Sequence, residues 1–270
     1  MLTIELSDHP GDLLSAATKR REAADKQVSK QYDRQLADAR KLRDVARSQR
    51  KWLTWLRLAY RVRQHKQARP RTLSVPTDNE EILKAGIAGE QRVASELGAQ
   101  LDDAWTLVHG YRNGRGEIDH VLLGPKGLFA IEVKNNNATV SIRGDVWEAD
   151  KYDRYGNLRE HYAIVDRGGR SPSVQLNQSA DALESFLQTR GQHVGVQRVV
   201  ALTHARSRLA SQENLTVHVA VSTDQILGLV RAGGDSLDPN RCNAILNIIE
   251  HDHAFHEKRR ARRTRRLRHG

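Results

Sequence analysis

The chain has 270 residues, a formal net charge of +11 and a sequence pI near 10.0. This is enough for one good core plus an appendage, and the charge points to a polyanionic partner, nucleic acid or an anionic membrane surface, without implying sequence specificity. The one cysteine, Cys242, excludes a disulfide framework and a cysteine-rich zinc site. No apolar run approaches the roughly 20 residues that span a bilayer, and no secretory signal follows Met1. A soluble cytoplasmic protein is expected.

Residues 1–10 carry little pattern. From Leu13 to about Arg69 there is no proline and no internal glycine, and Ala, Arg, Lys, Gln and Leu dominate. A long helix or helical hairpin is expected. Its apolar stripe is thin: Val28, Leu42 and Leu53 are interrupted by Gln35 and Gln49, which makes a weak coiled-coil candidate. Trp52, Leu53, Trp55, Leu56, Ala59 and Tyr60 then form an aromatic, apolar face ringed by Arg50, Lys51, Arg57, Arg61 and Arg63. Packing on the rest of the chain or on a second copy is the first reading of that face. An anionic membrane surface and DNA phosphates are the others.

Pro70 to Pro76 reads as a linker. Thr77-Asp78-Asn79-Glu80 is a capping box opening a helix, whose inner stripe is Ile82, Gly86, Gly89, Val93 and Leu97. The two glycines permit close approach to a sheet, at about 1 kcal/mol each in helix propensity against Ala. Glu90 lies beside that stripe, either as an exposed acid pairing with a neighbouring base or as part of a site.

Trp105 to His109 is a strand, and Tyr111 to Gly116 a turn. Gly116 to Lys134 then reads as two apolar strands joined by Gly124-Pro125-Lys126-Gly127, strong turn chemistry. With that turn, Leu123 pairs with Leu128 and Asp119 falls opposite Glu132, on the same face. Lys134, two residues on, shares it. Two carboxylates and an ammonium are thus gathered on one patch. Like charges opposed in a sheet destabilise it and push one carboxyl pKa up. A divalent cation with hard oxygen ligands, Mg²⁺ or Mn²⁺, removes the conflict. The plainer alternative is a face open to solvent, with Lys134 neutralising one acid.

Asn135 to Arg170 is a long excursion, with a small hairpin expected around Arg143-Gly144-Asp145. Trp147, Tyr152 and Tyr155 are interleaved with Lys151, Arg154 and Arg159, a pattern suited to stacking on bases. For Trp147 a hydrophobic anchor is preferred. Ser171-Pro172 opens the next helix. Gln175, in its first turn, is placed to hold a phosphate or a metal-bound water, or else is a cap. Strands follow at Val194 to Thr203 and Val217 to Val221. Ser222 caps a helix through Val230, and Asp238-Pro239 starts the last one. His251, His253 and His256 read as a solvated helix end rather than a metal cluster. Lys258 to Gly270, nearly all Arg and Lys, is expected to be disordered.

Asp119 followed by Glu132-Val133-Lys134 resembles the Asp…Glu-X-Lys core of the PD-(D/E)XK nuclease superfamily. More specifically, Gly89-Glu90, Gly116-Glu117-Ile118-Asp119-His120, Gly124-Pro125-Lys126-Gly127-Leu128-Phe129 and Ile131-Glu132-Val133-Lys134-Asn135 resemble the nuclease-related domain, NERD. Ser171-Pro172-Ser173-Val174-Gln175 is similar to that family's Asn-Pro-X-X-Gln segment, with Ser in place of Asn. The resemblance covers about Ile82 to Thr203. It implies an α/β fold with a restriction-endonuclease-like core, a mixed sheet in α-β-β-β-α-β order flanked by helices. It also implies Mg²⁺- or Mn²⁺-dependent hydrolysis of DNA, with RNA as an alternative partner. Asp119, Glu132 and the Val133 carbonyl would hold the metal, and Glu90 would join it, often through water. Lys134 would orient the attacking water or stabilise developing charge, and Gln175 would complete the site. The expected organisation is a basic helical segment and linker over 1–76, the nuclease-like domain over 77–257 and the basic tail over 258–270. The N-terminal helix is the candidate for a homodimer contact. The rival function is nucleic-acid binding or partner and membrane recruitment on a catalytically silent nuclease fold.

Overall fold

The computed structural model describes residues 1–68 and 76–269, apart from some side chains near the end of the last helix. The linker expected at 70–76 therefore lies, except for Pro76, outside the described residues. In chain order the elements are β1 (Leu2–Glu5), α1 (His9–Ser48), α2 (Trp52–Gln67), α3 (Asp78–Gln100), β2 (Thr106–Arg112), β3 (Glu117–Gly124), β4 (Gly127–Lys134), β5 (Thr139–Arg143), β6 (Val146–Tyr152), β7 (Leu158–Ala163), α4 (Pro172–Thr189), β8 (Val196–Leu202), β9 (Arg208–Glu213), β10 (His218–Ala220), α5 (Thr223–Ala232) and α6 (Pro239–His269). The chain is mixed α/β and divides into two compact units, Met1–Pro10 with Ala85–Gly270, and Gly11–Lys84.

The first unit is built on a six-stranded mixed sheet in the order β1-β2-β3-β4-β8-β10. β2, β3 and β4 are antiparallel neighbours, whereas β1 on β2, β8 on β4 and β10 on β8 are parallel. The N-terminal residues, unpatterned in sequence, form one edge of this sheet. Four residues are too few for periodicity to register, and pairing with β2 supplies the order. The hairpin has the expected register, with Leu123 opposite Leu128 and Gly124 opposite Gly127.

Alternate residues of each central strand serve two cores, as the strand period of two requires. Leu128 and Ala130 pack with Leu176, Ala180, Leu183 and Leu187 of α4 and Ile245 and Ile249 of α6. Phe129, Ile131 and Val133 face the other way, with Val93 and Leu97 of α3 and Ile226, Leu227 and Val230 of α5. Helices thus cover both faces of the sheet. The excursion after β4 forms most of a second sheet, β7-β6-β5-β9. The expected hairpin is β5–β6, with Arg143 opposite Val146. Trp147 is its buried anchor, its indole Nε1 donating to Ser173 Oγ (3.1 Å).

In the second unit α1 and α2 form a helical hairpin, reversed at Arg50 with φ 57°. Tyr32 donates its hydroxyl to the His65 carbonyl, and Tyr32, Ala46 and Val62 are the buried apolar residues of that pair. Thr77 and Glu80 make the reciprocal capping box, Glu80 N–H to Thr77 Oγ1 (3.3 Å) and Thr77 N–H to Glu80 Oε2 (2.8 Å). Glu80 is buried and takes both its oxygens to Arg21 Nε, at 3.2 and 3.0 Å.

Two expectations at the C-terminus need correction. Lys258 to His269 are helical, continuing α6. Arg, Lys, Ala and Leu are good helix formers, and extending a helix that has already nucleated costs far less than starting one. Nor is His251 to His256 a solvated end. His251 is exposed, but His253 Nδ1 accepts from Arg112 N–H (3.1 Å), and buried Asp252 accepts from Tyr111 Oη (2.6 Å). Asp252 and His253 dock α6 onto β2.

Candidate active site

The site lies where two paired strands part. The β3–β4 ladder ends at His120 opposite Ile131, one pair before Asp119 and Glu132. β4 stays paired with β8 as far as Lys134 opposite Leu202. On the other side of β3, the β2 ladder skips Gly110, which has φ +66°. A Cβ there would stand 2.1 Å from the Ser7 carbonyl, so only glycine fits. Strand β3 is thus released at Asp119 on both sides. Instead of a ladder bond, Asp119 Oδ2 accepts from the Val133 backbone N–H at 2.7 Å. Glu132 Oε1 accepts from Lys134 Nζ at 2.6 Å. The register placed these three residues together; the carboxylate in the ladder position is what it did not show.

Glu90 arrives from α3. A Cβ on Gly89 would meet Thr203 Oγ1 at 2.7 Å, Asn135 Cβ at 3.1 Å and Val133 Cγ1 at 3.4 Å, so α3 presses on the ends of β4 and β8 there. Gly86 differs: nothing lies within 4 Å of its Cβ position, and close approach is not its role. His120 fixes the same turn of α3, with Nε2 3.2 Å from the Glu90 carbonyl oxygen. It must donate there, so Nε2 carries the proton. Burial drives its pKa down to about 3, which keeps the ring neutral, packed edge-on against His109 with centroids 4.2 Å apart.

Electrostatics ties the acids together. Burial, then Glu132 and Glu90, hold the Asp119 carboxyl well above the ordinary range. Burial, then Glu132, push Glu90 up to about 7. Burial works against a charged Lys134, but Glu132 and Asp119 outweigh it and hold the ammonium above its usual pKa. Three carboxylates therefore share one ammonium, and a proton is retained among the acids near neutral pH.

Gln175 Nε2 donates to the Arg170 carbonyl (2.9 Å), closing the loop ahead of α4. The helix cap itself is Ser171, whose Oγ accepts from Val174 N–H. The same loop carries a residue that sequence reasoning missed. Asp166 contributes to the charge felt by Lys134, and is itself fixed by N–H bonds from Gly168 and Arg170, at 2.8 and 2.9 Å. His120 was missed as well. It reads as one more strand residue, and only the docked helix gives it a partner.

Residues 85–203 match the model of the nuclease-related domain, NERD. The match runs from α3 through β8 and contains Glu90, Asp119, Glu132, Lys134 and Gln175. A curated protein of Bordetella avium (strain 197N), described as a probable RNA methyltransferase, is 29% identical over 136 residues, which are 50% of this chain and 36% of the relative. The chain thus spans about a third of that relative's length. No solved structure matches the chain.

Asp119 and Glu132 are the residues whose donors could hold a small divalent cation. Among the described residues no group of three or more His, Cys, Asp and Glu side chains is placed as a metal cage. Mg²⁺ does not need one: it keeps several waters and takes one or two carboxylates plus substrate phosphate. Asp119 and Glu132 would supply that pair, and the proton retained among the acids marks a place where positive charge is wanted.

Proposed function

We propose that the protein is a metal-dependent nuclease that hydrolyses phosphodiester bonds in DNA. The observation that carries this reading is the convergence of Asp119, Glu132 and Lys134 where β3 and β4 separate, with Glu90 close enough to raise the pKa of Asp119. Asp119 and Glu132 would hold Mg²⁺ or Mn²⁺, with the Val133 carbonyl and Glu90 as further ligands, Glu90 through water. Bound there, the ion would lower the pKa of a water and polarise the scissile phosphate. Lys134 stays an ammonium at neutral pH, so it is a charge donor rather than a base. It holds Glu132 in place and presents positive charge to the phosphoryl oxygens. His120 and Gly89 set the position of Glu90. Gln175 closes the loop that brings Asp166 toward Lys134.

Supercoiled plasmid and linear DNA, incubated with Mg²⁺ or Mn²⁺ and with EDTA as control, test the reading. Metal-dependent cutting by the wild type, lost in Asp119→Ala and Glu132→Ala purified alongside, is the expected result. Equal cutting by all three would place the activity elsewhere. RNA belongs in the same assay, because the name of the Bordetella avium relative refers to an RNA substrate. A second reading, nucleic-acid binding without turnover, rests on the net charge of +11, which suits a polyanion whether or not it is cut. Salt-sensitive binding with no cutting of any nucleic acid would select it.

A further inference from the structure

Helix α2 has three faces. Successive residues turn by about 100° around the axis. Leu58, Val62 and His65 fall on the side that packs against α1, where Val62 is buried and the His65 carbonyl receives Tyr32. The next side carries Trp52, Leu53, Leu56 and Tyr60, all exposed, Trp52 at 61% and Leu53 at 85%, with Arg63 on it three turns along. Beyond them lie Arg57 and Arg61. Leu42 and Val45 of α1, just before the hairpin turn, are exposed as well, and Arg50 and Lys51 form the turn itself. From Val45 to Gln67 the sequence holds Arg47, Arg50, Lys51, Arg57, Arg61, Arg63 and Lys66 and no acid at all.

We infer that this face of the α1–α2 hairpin docks on an anionic lipid surface. A helix with an aromatic, apolar side bordered by Arg and Lys lies in the plane of a bilayer interface, its rings among the acyl chains and its cations at the headgroups. The long basic side chains reach outward while their stems stay in the apolar layer. The charge pattern selects this occupant over two others. A second copy of α2 would bring two acid-free basic helices together. A nucleic acid would satisfy the arginines but leave Trp52, Leu53 and Leu56 against a polar, charged partner. Docking does not depend on the nuclease reading, because the face is remote in sequence from Asp119 and Glu132 and needs no metal.

The test uses the full chain with vesicles of phosphatidylcholine, alone or mixed with phosphatidylserine. Co-sedimentation with the mixed vesicles is expected, at least about tenfold stronger than with phosphatidylcholine alone. Tryptophan emission should shift to the blue on binding. Trp105 and Trp147 are already buried, at 7% and 1% exposure, so the shift reports on Trp52 and Trp55. The double variant Trp52→Ala/Leu53→Ala should lower partitioning about tenfold or more. Arg57→Glu/Arg61→Glu should do the same. All four side chains point away from the packed side, so both variants should keep the wild-type circular dichroism. Should either variant lose it, Leu53→Asn alone serves in its place. Binding of mixed vesicles no tighter than of neutral ones, or binding undiminished in Trp52→Ala/Leu53→Ala, overturns the proposal. So does the absence of vesicle binding, whether a duplex oligonucleotide instead depends on Arg57 and Arg61 or a dimer is dispersed by Trp52→Ala/Leu53→Ala.

Discussion

Because the charges of Glu132 and Asp119 outweigh the cost of burying Lys134, its ammonium persists through neutral pH, and its removal should be felt twice. Lys134→Met leaves Glu132 without its 2.6 Å partner and removes positive charge from the site. Cleavage is expected to fall by about 10²–10³-fold, with Lys134→Arg recovering part of it, as single-turnover rates will show. Glu90 gives a signature in stability. Its folded pKa, about 7, lies above the ordinary value of 4.5, so the native state binds more protons than the unfolded chain between those limits. In metal-free protein the contribution of Glu90 to stability is therefore fully present below the lower limit and is lost as pH rises through the upper one. This is the reverse of the usual salt-bridged carboxylate. The loss should be on the order of 2 kcal/mol after allowing for solvent, read by urea denaturation in EDTA, and Glu90→Gln should flatten it. By the same linkage Mg²⁺ or Mn²⁺ should release protons on binding below neutrality, which calorimetry in buffers of different ionisation heat detects. Asp119, Glu132 and Lys134 could be brought together from sequence, because turn chemistry and a period of two fix a hairpin register. Asp166 and His120 could not: each acts through an element far away in the chain.

At the scale of elements, α3 is decided by two glycines that look alike in sequence and differ in space. Gly86 meets nothing, so Gly86→Ala should raise stability by about 0.5–1 kcal/mol through helix propensity alone. Gly89 has Thr203 Oγ1 at 2.7 Å from its Cβ position. Crowding there should outweigh the same gain, so that Gly89→Ala lowers stability by about 1 kcal/mol and cleavage with it, as Glu90 moves. Paired thermal melts separate the two. The periodic pattern identified α3 and its capping box, but it had no means of telling a glycine that touches the sheet from one that does not. The same limit explains α6. Composition gave a basic tail, whereas the structure extends a helix that had already begun at Pro239, and Asp252 and His253 become docking residues because β2 lies beneath them.

At the largest scale, the sequence gathers positive charge in two stretches, Arg47 to Lys66 and Lys258 to Arg268. If nucleic acid is bound, removing residues 258–270 should lower the salt slope of duplex binding by about 0.9 for each phosphate no longer neutralised, with the cleavage site itself intact. Titrations at several salt concentrations, with and without the segment, measure this. The α/β class and the order α3-β2-β3-β4-α4-β8 were legible because each element carries its own period or cap. The sheet order around them was not, since β1 and β10 join through parallel pairings made far from their neighbours in sequence. Those two strands close the edges with four and three residues. A stray chain laid along either edge would find only two or three free backbone groups before the strand gives out. Growth by strand addition, the usual route from an open sheet to fibrils, is thus cut short at both sides.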